Sequence, residues 1–286
     1  FTAGGDVDVA YAYRLTEFVN SCLCVTPCRG PLEKALARLT ATVFMEIAEP
    51  GGLVNIGVGI PEGLCKVLLE SGLYREIRFS TESGVYGGVP VSGVYFGAAI
   101  NPESVNSSAW MFRRYEDHLD TAVLGFLQVD GKGNVNASSR GPRIMDCVGP
   151  GGYPNITDSA KKILFVGTWM HGARVQIKKG NLILTEKGKQ KFVECVDEVT
   201  FHAGRAIEAG KQVSFVTTVG VFKLTHRGLE LRQVMPGIDI ERDILDACPD
   251  GILVPDEGVR EVPKEVITGV GFTVNWPGKS VGEKLV

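Results

Sequence analysis

Glu82 is the side chain in this sequence whose setting asks most directly for chemistry. The stretch RFSTESGVYGGVP, residues 78–90, places it where an apolar-alternating run gives way to a glycine-rich turn. Ser80, Thr81 and Ser83 surround it, and Gly84, Gly87 and Gly88 follow. Glycines there allow sharp bends and close backbone approach. A solvated loop acid fits this pattern, and so does an acid aimed into a site. A carboxylate is a poor nucleophile toward most substrates. It can attack an activated acyl group such as a thioester, giving a mixed anhydride that a second nucleophile opens. That chemistry needs one glutamate, a dry pocket and amides to hold the developing oxyanion. It needs no metal and no histidine.

Two glycine loops could supply the amides. VNIGVGIPEG, residues 54–63, contains Asn55 and Gly57 and reads as a strand–glycine–helix junction, where free backbone N–H groups can meet an anion. It lacks the third glycine of a dinucleotide fingerprint, and Pro61 removes one donor. VGPGGYPNI, residues 148–156, sets Gly149, Gly151 and Gly152 around Pro150, where amides can face an oxyanion or a thioester carbonyl. Each loop alone is also explained as a plain turn; two such loops with an acid are more specific. His118, His171, His202 and His226 share no metal spacing, and neither HExxH nor GxSxG occurs. A metalloprotease or serine hydrolase is therefore disfavoured.

The elements that must position these residues follow from periodicity. PLEKALARLTATVFMEIA puts Leu32, Ala35, Leu36, Leu39, Val43 and Ile47 on one helical face, with a stop at Glu49–Gly52. LVNIGVGI reads as a buried strand, and PEGLCKVLLESG as a helix with Pro61 in its first turn and Gly72 after its last. EIRFSTE, TAVLGFLQVD and SAKKILFVGTW continue as strands, and GVYFGAAI as strand or loop. KKGNLILTEKG reads as a hairpin turning at Gly180–Asn181, QVSFVTTVGVFKLTHRGLELRQVMPG as strands with short turns, and IERDILDAC as a short helix. Strands alternating with helices predict an α/β fold, an open, mostly parallel sheet with helices on both faces. Ligands in such sheets sit beyond the carboxyl ends of the strands.

Composition narrows the partners. The 286 residues are 44% hydrophobic with net charge −3, enough for a sizeable core and without the basic runs that bind nucleic acid. No apolar run is long enough to span a bilayer. The seven cysteines fit a reducing compartment better than a disulfide framework. Cys22, Cys24 and Cys28 in CLCVTPC have no nearby histidine or fourth cysteine, so free thiols are expected there rather than a metal. Residues 1–30, weakly periodic, read as a leader or linker, and 31–286 as the catalytic domain.

In order along the chain, VNIGVGIPEG, STESG, GGVP, FGAAINP, DGKGNVNAS, GPGGYPNI and SAKKILFVGTW resemble the family I CoA-transferases, most nearly the acetate/propionate and 3-oxoacid group, from about Pro31 to about Val274. The resemblance implies that Glu82, in the family's E-x-G motif, is the nucleophile of a ping-pong reaction through an acyl-glutamyl anhydride and a glutamyl-CoA thioester. It implies that Gly151 and Gly152 face the thioester carbonyl while Asn55 and Gly57 line the same pocket. Coenzyme A and a small carboxylic acid are then substrates, and no tightly bound cofactor is expected. Family members have two halves, and the glycine-rich motif of the first half is absent here. The chain therefore resembles the β half, expected to pair with an α-type half, as a separate subunit or fused segment, and to form an oligomer. A cytoplasmic location is expected, or the mitochondrial matrix in a eukaryote. A thioester hydrolase or decarboxylase on the same scaffold, and a non-catalytic binding module, are the alternatives. Tyr86, Tyr95 and Phe96 are candidates to wall an acyl pocket. Arg113, Arg114, Arg140 and Arg174 are candidates to hold a second carboxylate.

Overall fold

The computed structural model describes residues 8–24, 29–141, 143–248 and 251–277. Its centre is one ten-stranded sheet. The strands are β1 (Leu53–Ile56), β2 (Arg78–Ser80), β3 (Val85–Tyr86), β4 (Ser104–Val105), β5 (Leu119–Leu124), β6 (Lys162–Gly167), β7 (Gln212–Thr217), β8 (Gly220–Thr225), β9 (Gly228–Val234) and β10 (Arg260–Glu261). They lie in the order β10-β9-β8-β7-β6-β5-β1-β2-β3-β4. The five central strands, β2, β1, β5, β6 and β7, run parallel. Antiparallel pairings flank them, through β3 and β4 on one side and β8 and β9 on the other. Buried on both faces, the central strands read as continuous apolar runs such as KILFVG, in keeping with parallel sheets.

Helices α1 (Val9–Leu23), α2 (Pro31–Ile47), α3 (Gly63–Glu70), α4 (Ser108–His118), α5 (Tyr153–Ser159), α6 (Ala203–Glu208) and α7 (Lys264–Thr268) cover the sheet. The α3 crossover carries β1 to β2 in one direction along the sheet. The crossovers through α4, α5 and α6 lead to β5, β6 and β7 in the other. Right-handed crossovers put these two groups on opposite faces. In agreement, α3 packs on α2, and α4 packs on α5. Strand order therefore reverses between β1 and β5, where such sheets open a crevice at their carboxyl ends. Pro31 stands at the first turn of α2, where its missing N–H costs nothing. The predicted face of that helix is buried at Ala35, Leu36, Leu39 and Val43, and Phe44 and Met45 widen it.

Several sequence expectations need correction. TAVLGFLQVD is two strands, β5 and Gln128–Asp130, broken at Gly125, whose carbonyl accepts the Tyr153 hydroxyl proton at 3.0 Å. The hairpin Arg174–Lys178/Asn181–Glu186 turns at Lys179–Gly180, both with positive φ (51° and 76°), and Asn181 already belongs to the second strand. IERDILDAC forms a π turn at Ile240–Ile244 followed by a 3-10 turn, not an α-helix. The segment read as a leader or linker carries α1, capped by Asp8, whose side chain accepts the Tyr11 N–H at 2.9 Å.

The pattern of α1 is inverted, which hid it. Its buried positions are Tyr13, Thr16 and Asn20, while Tyr11, Leu15 and Phe18 point outward. Asn20 fixes the docking: its Nδ2 donates to Ser92 O at 2.8 Å and its Oδ1 accepts the Val94 N–H at 3.1 Å. Lys66 adds an ion pair to Glu17 at 2.8 Å. Cys22 and Cys24 are exposed free thiols, and Cys28 lies outside the described residues. Asn20→Ala should lower stability by about 1 kcal/mol, because two part-buried hydrogen bonds to the backbone are lost; chemical denaturation checks this, and an unchanged midpoint would mean that α1 is held by other contacts.

Candidate active site

Strand β2 ends at Ser80, and the chain reverses into β3 through Thr81–Gly84. Gly84 N–H donates to Thr81 O at 3.1 Å and Thr81 N–H to Val85 O at 3.0 Å. Gly84 has φ +114°, and a Cβ there would run into the Asn106 carbonyl. The hydroxyls on either side of Glu82 anchor the turn. Thr81 Oγ1 and Ser83 Oγ lie 2.7 Å apart, and both donate to Gly97 O, at 3.2 and 2.7 Å. Glu82 is therefore the side chain at a pinned turn that is left for other use. It is half-buried.

The carboxylate faces the second glycine loop. A Cβ built at Gly152 would meet Glu82 Oε2 at 2.5 Å and the Phe112 ring closer still. Gly151 adopts φ +51° with open space above it. Among the described residues, the N–H groups of Gly151 and Gly152 have no acceptor. These two amides are thus free beside the carboxylate, the arrangement that holds an oxyanion.

Glu82, Gly151, Gly152, Asn55 and Gly57, far apart in sequence, all line one cleft of about 750 Å³ at the carboxyl edge of β1, β5 and β6. A smaller cavity of about 380 Å³ adjoins on the other side of Glu82, with Phe96 and Phe112 in its wall. The first loop contributes differently from the second. Gly57 N–H is committed to Val123 O at 2.8 Å, so it shapes the wall rather than donating to a ligand. Arg29 and Glu62 staple this loop: Arg29 donates to Gly59 O at 2.9 Å and to Ile60 O at 3.2 Å and pairs with Glu62 at 3.3 Å, and Glu62 Oε1 accepts the Gly59 N–H at 2.9 Å. Burial pushes the Glu62 pKa up, against the pull of the Gly59 N–H and Arg29.

Asn55 belongs to a directional chain of hydrogen bonds. Val54 O can only accept, so Ser80 Oγ donates to it (3.0 Å), Tyr115 Oη donates to Ser80 Oγ (3.0 Å), and Asn55 Nδ2 donates to Tyr115 Oη (3.0 Å). Asn55 Oδ1 is left buried and without a partner among the described residues. Asn55 is 2% exposed and, so oriented, has its Oδ1 acceptor to spare while one of its two Nδ2 protons is committed to Tyr115. Asn55 lines the cleft as expected, and the amides without an acceptor among the described residues are those of the second loop. Burial, with Glu82 nearby, pushes the Tyr115 pKa up to about 12 against these hydrogen bonds, so its proton stays in place.

Of the expected aromatic walls, Phe96 lines the cleft. Tyr86 instead packs edge-on against Trp110, with Arg114 over both rings, and Tyr95 packs against the core. Of the four arginines, Arg140 lines the cleft. Phe112, Tyr115 and Lys191 were not singled out from sequence. Lys191 lines the cleft with its Nζ 4.1 Å from the centroid of the Phe126 ring, and burial lowers its pKa from 10.5 to about 8. Among the described residues, no cluster of His, Cys, Asp or Glu could hold a metal ion, and no helix is long and apolar enough to cross a membrane.

The chain is 39% identical over 217 residues to the caffeate CoA-transferase of Acetobacterium woodii, covering 74% of this chain. It is 35% identical over 199 residues, 68% of this chain, to the acetate CoA-transferase YdiF of Escherichia coli K12. This chain is homologous to the CoA-transferases. It spans 41% and 37% of those two relatives' lengths. The solved apoenzyme of the YdiF acyl-CoA transferase from E. coli O157:H7 superposes with a TM-score of 0.75 at 29% identity, covering 86% of this chain and 47% of that one. Glutaconate CoA-transferase from Acidaminococcus fermentans shares the fold, with a TM-score of 0.58 at 19% identity over 84% of this chain and 94% of that one. No family model matches the chain.

Two outcomes follow from this geometry. Gly152→Ala should cost about 1–3 kcal/mol of stability through overpacking, and Gly151→Ala about 1 kcal/mol through backbone strain alone; equal costs in a denaturation series would contradict the close approach of Glu82. Lys191→Met should raise stability at pH 7 by about 1–3 kcal/mol, since the folded state binds its proton less tightly than the unfolded chain does. The unfolded state holds more protons between pH 8 and 10.5, so wild-type stability climbs there and the advantage of the variant fades; a gap independent of pH would contradict the assignment.

Proposed function

We propose that this chain is the catalytic half of a CoA-transferase, moving CoA between an acyl-CoA and a free carboxylic acid with Glu82 as nucleophile. The observation that carries the reading is the Glu82 carboxylate, on a pinned turn, lying against Gly152 beside two amides without acceptors among the described residues. Homology to enzymes named for CoA transfer supports it.

In the first half-reaction a Glu82 oxygen attacks the thioester carbonyl and the C–S bond breaks, giving an acyl-glutamyl anhydride and CoA thiolate. The thiolate attacks the Glu82 carbonyl carbon and releases the first acid as a carboxylate, leaving a glutamyl-CoA thioester. A second carboxylate attacks that thioester and expels the thiolate. The thiolate then attacks the new acyl carbon, forming the new acyl-CoA and restoring Glu82. Each attack develops an oxyanion within reach of the Gly151 and Gly152 amides, and no proton has to be moved. The Phe96 and Phe112 rings beside Glu82 limit water, which would otherwise hydrolyse the intermediates. CoA is a substrate in this scheme, and none of its steps calls on a further cofactor.

A partner half is part of the proposal. The chain spans less than half of the two curated relatives. Large apolar side chains stand uncovered on the loops that rim the cleft, with Val58 63%, Ile144 89% and Met145 86% exposed. On α1, Tyr11, Leu15 and Phe18 form an outward stripe at helical spacing. An α-type half, fused or separate, would cover such surfaces and close the cleft.

The test is to trap the thioester. The complete enzyme is incubated with acetyl-CoA, treated with borohydride, which reduces a glutamyl thioester to the alcohol, and peptide-mapped. A modified Glu82, absent from Glu82→Ala, is expected. Turnover without any modification at Glu82 would overturn the reading.

A further inference from the structure

Lys191 is a cation without a counter-ion. Its side chain is largely withdrawn from water, its ammonium rests on the Phe126 face, and it lines the cleft. Of the acids that follow it in sequence, Glu194 is exposed and makes no ion pair with it, Asp197 accepts from Gln128 at 2.8 Å and Glu198 from Ser138 at 2.6 Å. Among the described residues, no carboxylate and no hydrogen-bond acceptor meets Lys191 Nζ. A cation–π contact does not replace the lost hydration of an ammonium. Burial without a partner is costly, and such a group persists where a ligand completes it.

Its position says which part of a ligand it would meet. Lys191 Nζ lies beside Gly167, at the end of β6, where a Cβ would approach it to 3.2 Å. Glu82 follows β2. The order β2-β1-β5-β6 puts these strand ends three spacings apart, roughly 14 Å across the sheet. Lys191 therefore enters the cleft from a different strand end than Glu82 does.

We infer that Lys191 is the anion receptor of this cleft, binding a negatively charged oxygen group carried at the end of the ligand remote from the thioester. Two sources offer that chemistry: a second carboxylate on the acid, or a phosphate of CoA. The inference rests on the CoA-transferase reading for its ligands.

The experiment compares wild type, Lys191→Met and Lys191→Arg in the complete enzyme. One arm measures kcat/KM for straight-chain monocarboxylates against α,ω-dicarboxylates; the other compares CoA esters with the corresponding pantetheine esters, which lack the phosphates. In one arm, Lys191→Met should lower the anion-bearing member of the pair about ten- to a hundredfold relative to its uncharged-ended counterpart, the ratio within the other pair should stay within about twofold, and Lys191→Arg should recover much of the loss. Loss with dicarboxylates assigns the acid, and loss with CoA esters assigns the phosphate. Equal loss across all four ligand classes, or weakened assembly with unchanged ligand preference, would overturn the inference. Calorimetric binding of a dicarboxylate and of CoA, which needs no turnover, repeats the comparison. A Lys191-dependent affinity without any transfer activity would fault the transferase reading and keep the receptor.

Discussion

Everything in this site depends on one short-range constraint: a four-residue reversal between two strands has to hold a carboxylate still. The two backbone bonds of Thr81–Gly84, and the two hydroxyls that share the Gly97 carbonyl, leave the turn little freedom. Glycine at 84 is required by a positive φ and by the neighbouring Asn106 carbonyl, and glycine at 152 by the carboxylate itself. In the proposed reaction, a carboxylate carried on so fixed a turn would lose less entropy on reaching its attack geometry.

The wider fold converts that turn into part of a cleft. Parallel strands bring their carboxyl ends to one edge, and the reversal of strand order between β1 and β5 parts the crossover connections there. The loops after β1, β2 and β5, and the loop leading into α5, then converge although their residues are up to a hundred positions apart. The charges along the cleft are unevenly satisfied. Tyr115 keeps its proton beneath Glu82, and Glu62 and Arg29 neutralise one another under the first loop. Lys191 has no ion-pair partner among the described residues, so its end of the cleft retains a positive charge at a cost in stability.

Much of this was legible in the sequence because the signals are local. Glycine clusters after apolar runs mark turns at strand ends, and the five residues expected to line a site do line one cleft. What stayed hidden depends on tertiary contact. Helix α1 buries Thr16 and Asn20 while exposing Tyr11 and Phe18, so hydrophobic periodicity pointed away from its docked face. Tyr115 reads as one aromatic in a charged helix, and only the fold brings it under Ser80 and Asn55. Lys191 lies in the polar run KGKQKFVE, where a lysine is expected in water rather than against a buried phenyl ring. The donor chain from Asn55 to the Val54 carbonyl has no sequence signature, yet it decides that the Asn55 Oδ1 acceptor is left over.

The central claim is that Glu82 becomes covalently acylated through its own oxygen. The most direct measurement follows that atom. The complete enzyme is turned over with an acyl-CoA and an acid labelled with oxygen-18 in its carboxylate, and the Glu82 peptide is weighed. Attack of the labelled carboxylate on the glutamyl thioester, followed by attack of CoA on the acyl carbon, leaves the bridging oxygen on Glu82, so the peptide should gain label with turnover. Transfer that proceeds with an unlabelled Glu82 would contradict the account.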